Sequence, residues 1–220
     1  SIRAYKEALE NYYGIKICDI KERTEKINQR NASISKLYEH LGEISFAAYL
    51  ESIHGMLKKP LEQQEVPSDF KTYHATDKRV FVVGSFLSNT DLARQMEAAG
   101  LTVVGDTLPE SGRLVSIPSA GTKGDIYKSI ASNILAGRLA PSQNGFQTII
   151  NKDLDEIKKK SVKGVIFITQ KYCEAYDYLY SVYKSVLDFM DISVIQVSIN
   201  DTEDSRKAAL AFEAFADIIS

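Results

Sequence analysis

The sequence predicts an α/β fold, a parallel sheet preceded by helices, on three observations. Four short and almost wholly apolar runs, at 80–83, 101–104, 165–168 and 192–199, follow one another after residue 79. Stretches with helical spacing lie between them. The first third of the chain has helical periodicity and no such run. Strands that are apolar throughout, alternating with helices, belong to a parallel sheet covered on both faces. With right-handed crossovers the four strands take the order 2-1-3-4, a small flavodoxin-like or Rossmann-like sheet with helices on both faces.

The elements follow in order. In 2–13, Ile2, Tyr5, Leu9, Tyr12 and Tyr13 recur at near-helical spacing, and Gly14 stops the pattern. A second helix starts at Asp19, with Glu22 placed as in a capping box. It carries Ile20, Ile27, Ile34, Leu37 and Leu41 and ends near Gly42. A third runs over about 45–58 with Phe46, Tyr49, Leu50, Ile53 and Leu57 on one face. Two prolines and many polar residues make the following stretch a connector. The first strand is closed by Gly84-Ser85. A helix carrying Leu92, Met96 and Ala99 follows, and the second strand is closed by Gly105-Asp106. Helices are expected over about 124–137 and 151–160. After the third strand comes a Tyr-rich helix over about 174–190, and after the fourth a helix over about 203–219. The predicted organisation is a helical segment 1–59, a linker 60–78 and an α/β domain 79–220.

Composition narrows the function. The 220 residues carry 27 Lys+Arg against 29 Asp+Glu, a formal charge of -2. A phosphate-binding face usually shows as a basic excess, so no nucleic-acid partner is expected. No apolar run approaches the ~20 residues that span a bilayer. The first residues show no apolar signal core, and the two cysteines, Cys18 and Cys173, make no disulfide framework. A reduced, cytoplasmic setting is the expectation.

Open parallel sheets bind ligands beyond the carboxyl ends of their strands. That rule selects Gly84-Ser85, the segment from Asp106 to Arg113, Gln170 to Cys173, and Asn200-Asp201. No dinucleotide fingerprint, P-loop or nucleophile elbow is present. His40, His54 and His74 have no partner at metal-ligand spacing, which suits surface or half-buried histidines. Gly84-Ser85 reads equally as a tight turn or as an anion-facing one. Arg113 reads as an anion fork or as a structural partner of Asp106. Cys173, just past a strand and at a helix start, reads as a crevice thiol or as a small buried hydrophobe.

From Arg79 onward the chain resembles the 2-hydroxyacyl-CoA dehydratase D-component family, which also contains benzoyl-CoA reductase subunits. The matching stretches are VFVVGS, LTVVGD with Gly112-Arg113 after it, KGVIFITQKYC, and ISVIQVSIND with DSRKAALAFEAF. GIKICDIKERTEKINQRN is similar to the helical linker before this domain. The resemblance implies a lyase or reductase component acting on an acyl-CoA thioester by one-electron, ketyl-radical chemistry. It implies a [4Fe–4S] cluster charged by an ATP-dependent activase, and a partner subunit or an amino-terminal α/β domain that supplies further ligands. Cys173 stands at a cluster-ligand position, and Pro109 stands about where the family has another Cys. If an acyl-CoA binds, the strand-end rule places it at the carboxyl edge of the sheet, framed by Gly84, Ser85, Asp106, Arg113 and Cys173.

Two functions follow. One is a subunit or half-subunit of such a dehydratase or reductase system; the other is a cluster-less structural or assembly module. Either way, the apolar stripes of residues 1–58 exceed what a small sheet can cover. A homodimer or heteromer burying Phe46, Tyr49, Leu50 and Ile53 is therefore expected.

Overall fold

A computed structural model describes residues 1–68, 70, 73–87, 90–137, 146–200 and 202–219, with 146–148 and 202–205 described as backbone only. The predicted Asp201 lies outside the described residues. Among the described residues, four strands form one all-parallel sheet: β1 (Arg79–Gly84), β2 (Thr102–Asp106), β3 (Gly164–Gln170) and β4 (Ser193–Ile199), in the order β2-β1-β3-β4. That is the order expected for a small flavodoxin-like or Rossmann-like sheet.

Each strand sends alternate side chains to opposite faces. Val80, Val82, Ile166 and Ile168 join one core, and Phe81, Val83, Val165 and Phe167 join the other. The first core is completed by α3 (Phe46–Leu57), α4 (Asp91–Ala98) and α9 (Thr202–Ile218). The second is completed by α7 (Phe146–Lys159) and α8 (Glu174–Phe189). Burial on both faces explains why the strands read as unbroken apolar runs.

The amino-terminal helices are α1 (Ile2–Tyr13) and α2 (Ile20–Glu39), ahead of α3. The capping box expected at the start of α2 does not form. Asp19 sits at φ 60 and its side chain caps nothing, while Glu22 pairs with Lys26 one turn on. Ser45 caps α3 through the Ala48 amide and also donates to Glu97 of α4. Phe46, Tyr49, Leu50 and Ile53 are at most 1% exposed, packed into the same core as β1 and α4. The expectation that a second chain covers this stripe is therefore corrected: the chain's own sheet and helices cover it. Exposed apolar residues in this segment include Tyr5, Tyr12 and Tyr13 of α1, a helix that buries no residue, and Ile27 of α2.

Two helices complete the picture: a single turn, α5 (Gly112–Val115), and α6 (Ile126–Ala136). Four residues carry no period, so α5 had no signal in the sequence. Helix α7 starts about five residues before the expected position. At the outer edge of the sheet, the Tyr38 hydroxyl accepts from the Asp106 amide at 2.8 Å and donates toward the Asp106 carbonyl at 3.1 Å. Lys160 donates to the Val104 carbonyl beside it.

Candidate functional site

Parallel strands leave their carboxyl ends side by side, so β1, β2 and β3 bring the 84–87, 106–113 and 170–173 segments to one edge. A Cβ on Gly84 would stand 2.5 Å from the Ile168 carbonyl oxygen, so the close approach of β3 demands glycine there. The Gly84 amide donates to Thr107 Oγ1 at 3.3 Å, and its carbonyl accepts from the Tyr176 hydroxyl at 2.8 Å. The polar groups of this turn are thus engaged by the protein itself. Ser85 is half-buried, and its amide donates to the Ile168 carbonyl at 3.3 Å.

The loop after β2 is organised by Asp106, which is fully buried. Its Oδ1 accepts from the amides of Leu108 at 2.8 Å and Gly112 at 2.9 Å, and its Oδ2 accepts from Ser111 Oγ at 2.6 Å. Burial pushes this carboxyl up to about 6, against those three hydrogen bonds. The loop wraps Asp106 and turns Arg113 toward α8. There Arg113 Nη2 donates to the Tyr176 hydroxyl at 3.1 Å, while Arg113 Nε is buried with no hydrogen-bond partner among the described residues.

Cys173 stands at the amino end of α8 without a capping hydrogen bond from its side chain, and it is half-buried, packed against the core that holds Phe167 and Tyr176. The preceding Tyr172 lies at φ 67 and is 91% exposed. Tyr176 ties the candidates together. Burial raises its hydroxyl pKa, the Arg113 charge opposes that, and Cys173 and Glu110 add to it. Gly84, Arg113 and Cys173 are therefore gathered around one tyrosine, with Asp106 forming the loop behind them.

Sequence reasoning set His54 aside and took in Glu110 only as part of the segment from Asp106 to Arg113. Glu110 Oε1 accepts from the Leu87 amide at 2.9 Å and lies 3.6 Å from His54 Nε2. The Glu110 side chain is 2% exposed and that of His54 13%. Burial raises the Glu110 pKa and lowers that of His54. Glu110 Oε2 and His54 Nε2 are both buried without a hydrogen-bond partner among the described residues. A signal was available: His54 stands four residues after Leu50, on the stripe that faces inward. Of the other histidines, His40 pairs with Glu43 at the surface and His74 is exposed.

The donor set for a metal is thin. Cys18 is exposed, and among the described residues no group of three His, Cys, Asp or Glu is placed to hold a metal ion. A separate cleft of about 770 Å³ lies between α2 and the connector, lined by Arg30, Lys36 and Glu65 among others. None of the strand-end residues lines it. No helix among the described residues is long and apolar enough to cross a membrane.

The sheet and its carboxyl edge define an open α/β protein with polar side chains gathered around Tyr176 at the strand ends. The chain belongs to the family described as 2-hydroxyglutaryl-CoA dehydratase, D-component, whose model matches residues 1–219. Comparison with curated proteins gives no match.

Proposed function

We propose that this chain is the substrate-holding part of a 2-hydroxyacyl-CoA dehydratase-type assembly, with the acyl-CoA thioester seated at the carboxyl edge of the sheet. Gly84 and Ser85 border that seat, Cys173 flanks it, and Asp106 frames it by holding the loop. Arg113 supplies the charge. The observation that carries this reading is the half-buried Arg113, oriented by Tyr176 yet leaving its buried Nε without a hydrogen-bond partner among the described residues. An unpaired buried donor costs stability unless a ligand meets it.

A [4Fe–4S] cluster does not fit the residues of this chain alone. Such a cluster takes several thiolates, and the crevice offers Cys173. Pro109 occupies the loop position where the family resemblance calls for another. In this reading the remaining donors, and the activase-driven one-electron chemistry that the resemblance implies, belong to a partner subunit or to an α/β domain outside these residues.

The test is a calorimetric titration of butyryl-CoA into the wild type and Arg113→Ala. The expected result is measurable binding to the wild type and a loss of about 1.5–3 kcal/mol in the variant, as for a hydrogen bond to a charged group. Melting temperatures should stay close, because Tyr176 keeps its bond to Gly84. If the wild type binds no thioester at millimolar concentration, the structural or assembly module becomes the better description.

A further inference from the structure

The two outer strands of the sheet differ. Outward backbone groups of β2 meet the side chains of Tyr38 and Lys160. Those of β4 meet nothing among the described residues. The Lys171 amide donates to the Ile199 carbonyl at 3.1 Å, so Ile199 turns its backbone groups toward β3. Successive residues of a strand turn theirs to opposite sides. Ser193, Ile195 and Val197 therefore also face β3, while Val194, Gln196 and Ser198 point their N–H and C=O groups outward. Strand β4 is seven residues long, with no proline, glycine or charged residue, and it pairs with β3 without a bulge. Outer strands that stay single are usually short, bulged, or carry Lys or Pro.

The outward pattern is its own complement. Place a two-fold axis at Gln196, perpendicular to the sheet, and a second copy of β4 runs antiparallel to the first. Gln196 then faces Gln196, and Val194 of each copy faces Ser198 of the other. Every facing pair joins outward-pointing residues, so each pair exchanges two N–H···O bonds. An axis at Ile195 sets Ser198 opposite Ile192, before the strand begins, and an axis at Val197 sets Val194 opposite Asn200, after it ends. Only the Gln196 axis pairs all three residues within the strand. Helices α8 and α9 pack against β4 from its two faces, and the axis brings each beside its own counterpart. Both carry exposed apolar side chains, Tyr178 and Phe189 on α8 and Leu210 and Ile218 on α9. Each aromatic ring offers ~150–250 Å². With the aliphatic side chains and the strand edge, the total is on the order of the ~800 Å² per partner that a stable dimer buries.

We infer that β4 is the interface of a homodimer, in which the sheets of two copies join antiparallel at Gln196 into one continuous eight-stranded sheet. The occupant of this edge is a second copy of this chain, because the same three residues supply and receive every bond. The interface is isologous, as closed two-fold assemblies require. The inference does not depend on the acyl-CoA reading, since β4 contributes none of Gly84, Ser85, Asp106, Arg113 or Cys173.

Sedimentation equilibrium of the whole chain at micromolar concentration reads the mass, and twice 24.5 kDa is expected. Gln196→Pro removes the outward N–H at the axis and leaves the ladder to β3 intact, because that N–H points away from β3. It should weaken association by about tenfold or more. Ser198→Lys puts a charge at an exposed position of the edge and serves if the proline variant does not fold, which a melting curve shows. Residue-resolved amide exchange separates this dimer from any other. The amides of Val194, Gln196 and Ser198 should exchange slowly in the wild type, and those of Val194 and Gln196 rapidly in Ser198→Lys. Those of Ile195 and Val197 should stay slow in both. A monomeric wild type, whether or not another protein takes the edge, would overturn the inference. So would a dimer that persists unweakened in the folded variants, or one whose outward amides exchange rapidly.

Discussion

Gly112 presses against Asp106 from two directions: its amide donates to the carboxylate at 2.9 Å, and its Cα faces the Asp106 carbonyl so closely that a Cβ would lie 1.8 Å from that oxygen. Gly112→Ala must therefore displace the loop that carries Glu110 and Arg113. The expected cost is about 3 kcal/mol, as for a severe overpacking. In a chain of this size that lowers the melting temperature by roughly 10 °C. Thermal unfolding followed by circular dichroism measures it, and an unchanged melting point would mean the loop is not held this way.

The pH dependence of stability follows from the same carboxylate. The folded-state value of Asp106 is about 6 and its ordinary value 3.8. The folded state therefore binds the proton more tightly than the unfolded state. Its stabilising contribution is full below about pH 4 and is lost as pH rises through about 6, amounting to about 3 kcal/mol at most. Asp106→Asn should flatten this part of the profile. Urea midpoints taken at several values between pH 4 and 7 test the sign: a wild-type contribution that grows with pH over this range contradicts it.

Tyr176→Phe removes one hydroxyl and leaves two groups without it, the Gly84 carbonyl and Arg113 Nη2. Buried groups stripped of a partner cost about 1–3 kcal/mol. Chemical denaturation should show a loss in that range, and no measurable change would indicate that water replaces the hydroxyl.

Iron should remain low. Anaerobic reconstitution of the isolated chain with iron and sulfide is expected to give far less than a four-iron complement by Mössbauer spectroscopy, because Cys173 lacks neighbouring thiols. A near-stoichiometric cluster signal would show that donors not recognised above complete the set.

Helix α1 buries no residue, and its ties to the rest include an Arg3–Asp125 pair between exposed side chains. Exposed pairs contribute little. Deleting residues 1–14 should lower the melting temperature by no more than about 3 °C. A larger drop would mean that α1 carries packing not apparent from its exposure.

The sheet was legible because strands buried on both faces leave no polar residue to break the run, as at 80–83 and 165–168. The strand order followed from the flavodoxin-like or Rossmann-like sheet type that alternating strands and helices imply. Helix α5 was not legible, since its start depends on Asp106 capturing the Gly112 amide, a contact without periodicity. The destination of the stripe on α3 was misjudged for a related reason. Phe46 and Tyr49 announce a buried face, but a pattern does not say whether the cover comes from the same chain. In the crevice, Gly84, Asp106, Arg113 and Cys173 could be singled out by the strand-end rule. His54 comes from a helix far outside those segments and meets Glu110 only through tertiary packing.

The Tyr38 hydroxyl has a meaning for β2 beyond joining α2 to the sheet. A strand at the rim of a sheet offers bare amides and carbonyls on which another chain can be templated. Here Tyr38 takes up both backbone groups of Asp106, and Lys160 takes up the Val104 carbonyl, so side chains stand where a fifth strand would. Helix α2 thereby acts as a guard against fibre-like growth from this rim. Its local unwinding, rather than global denaturation, would be the event that turns the folded protein into a seed.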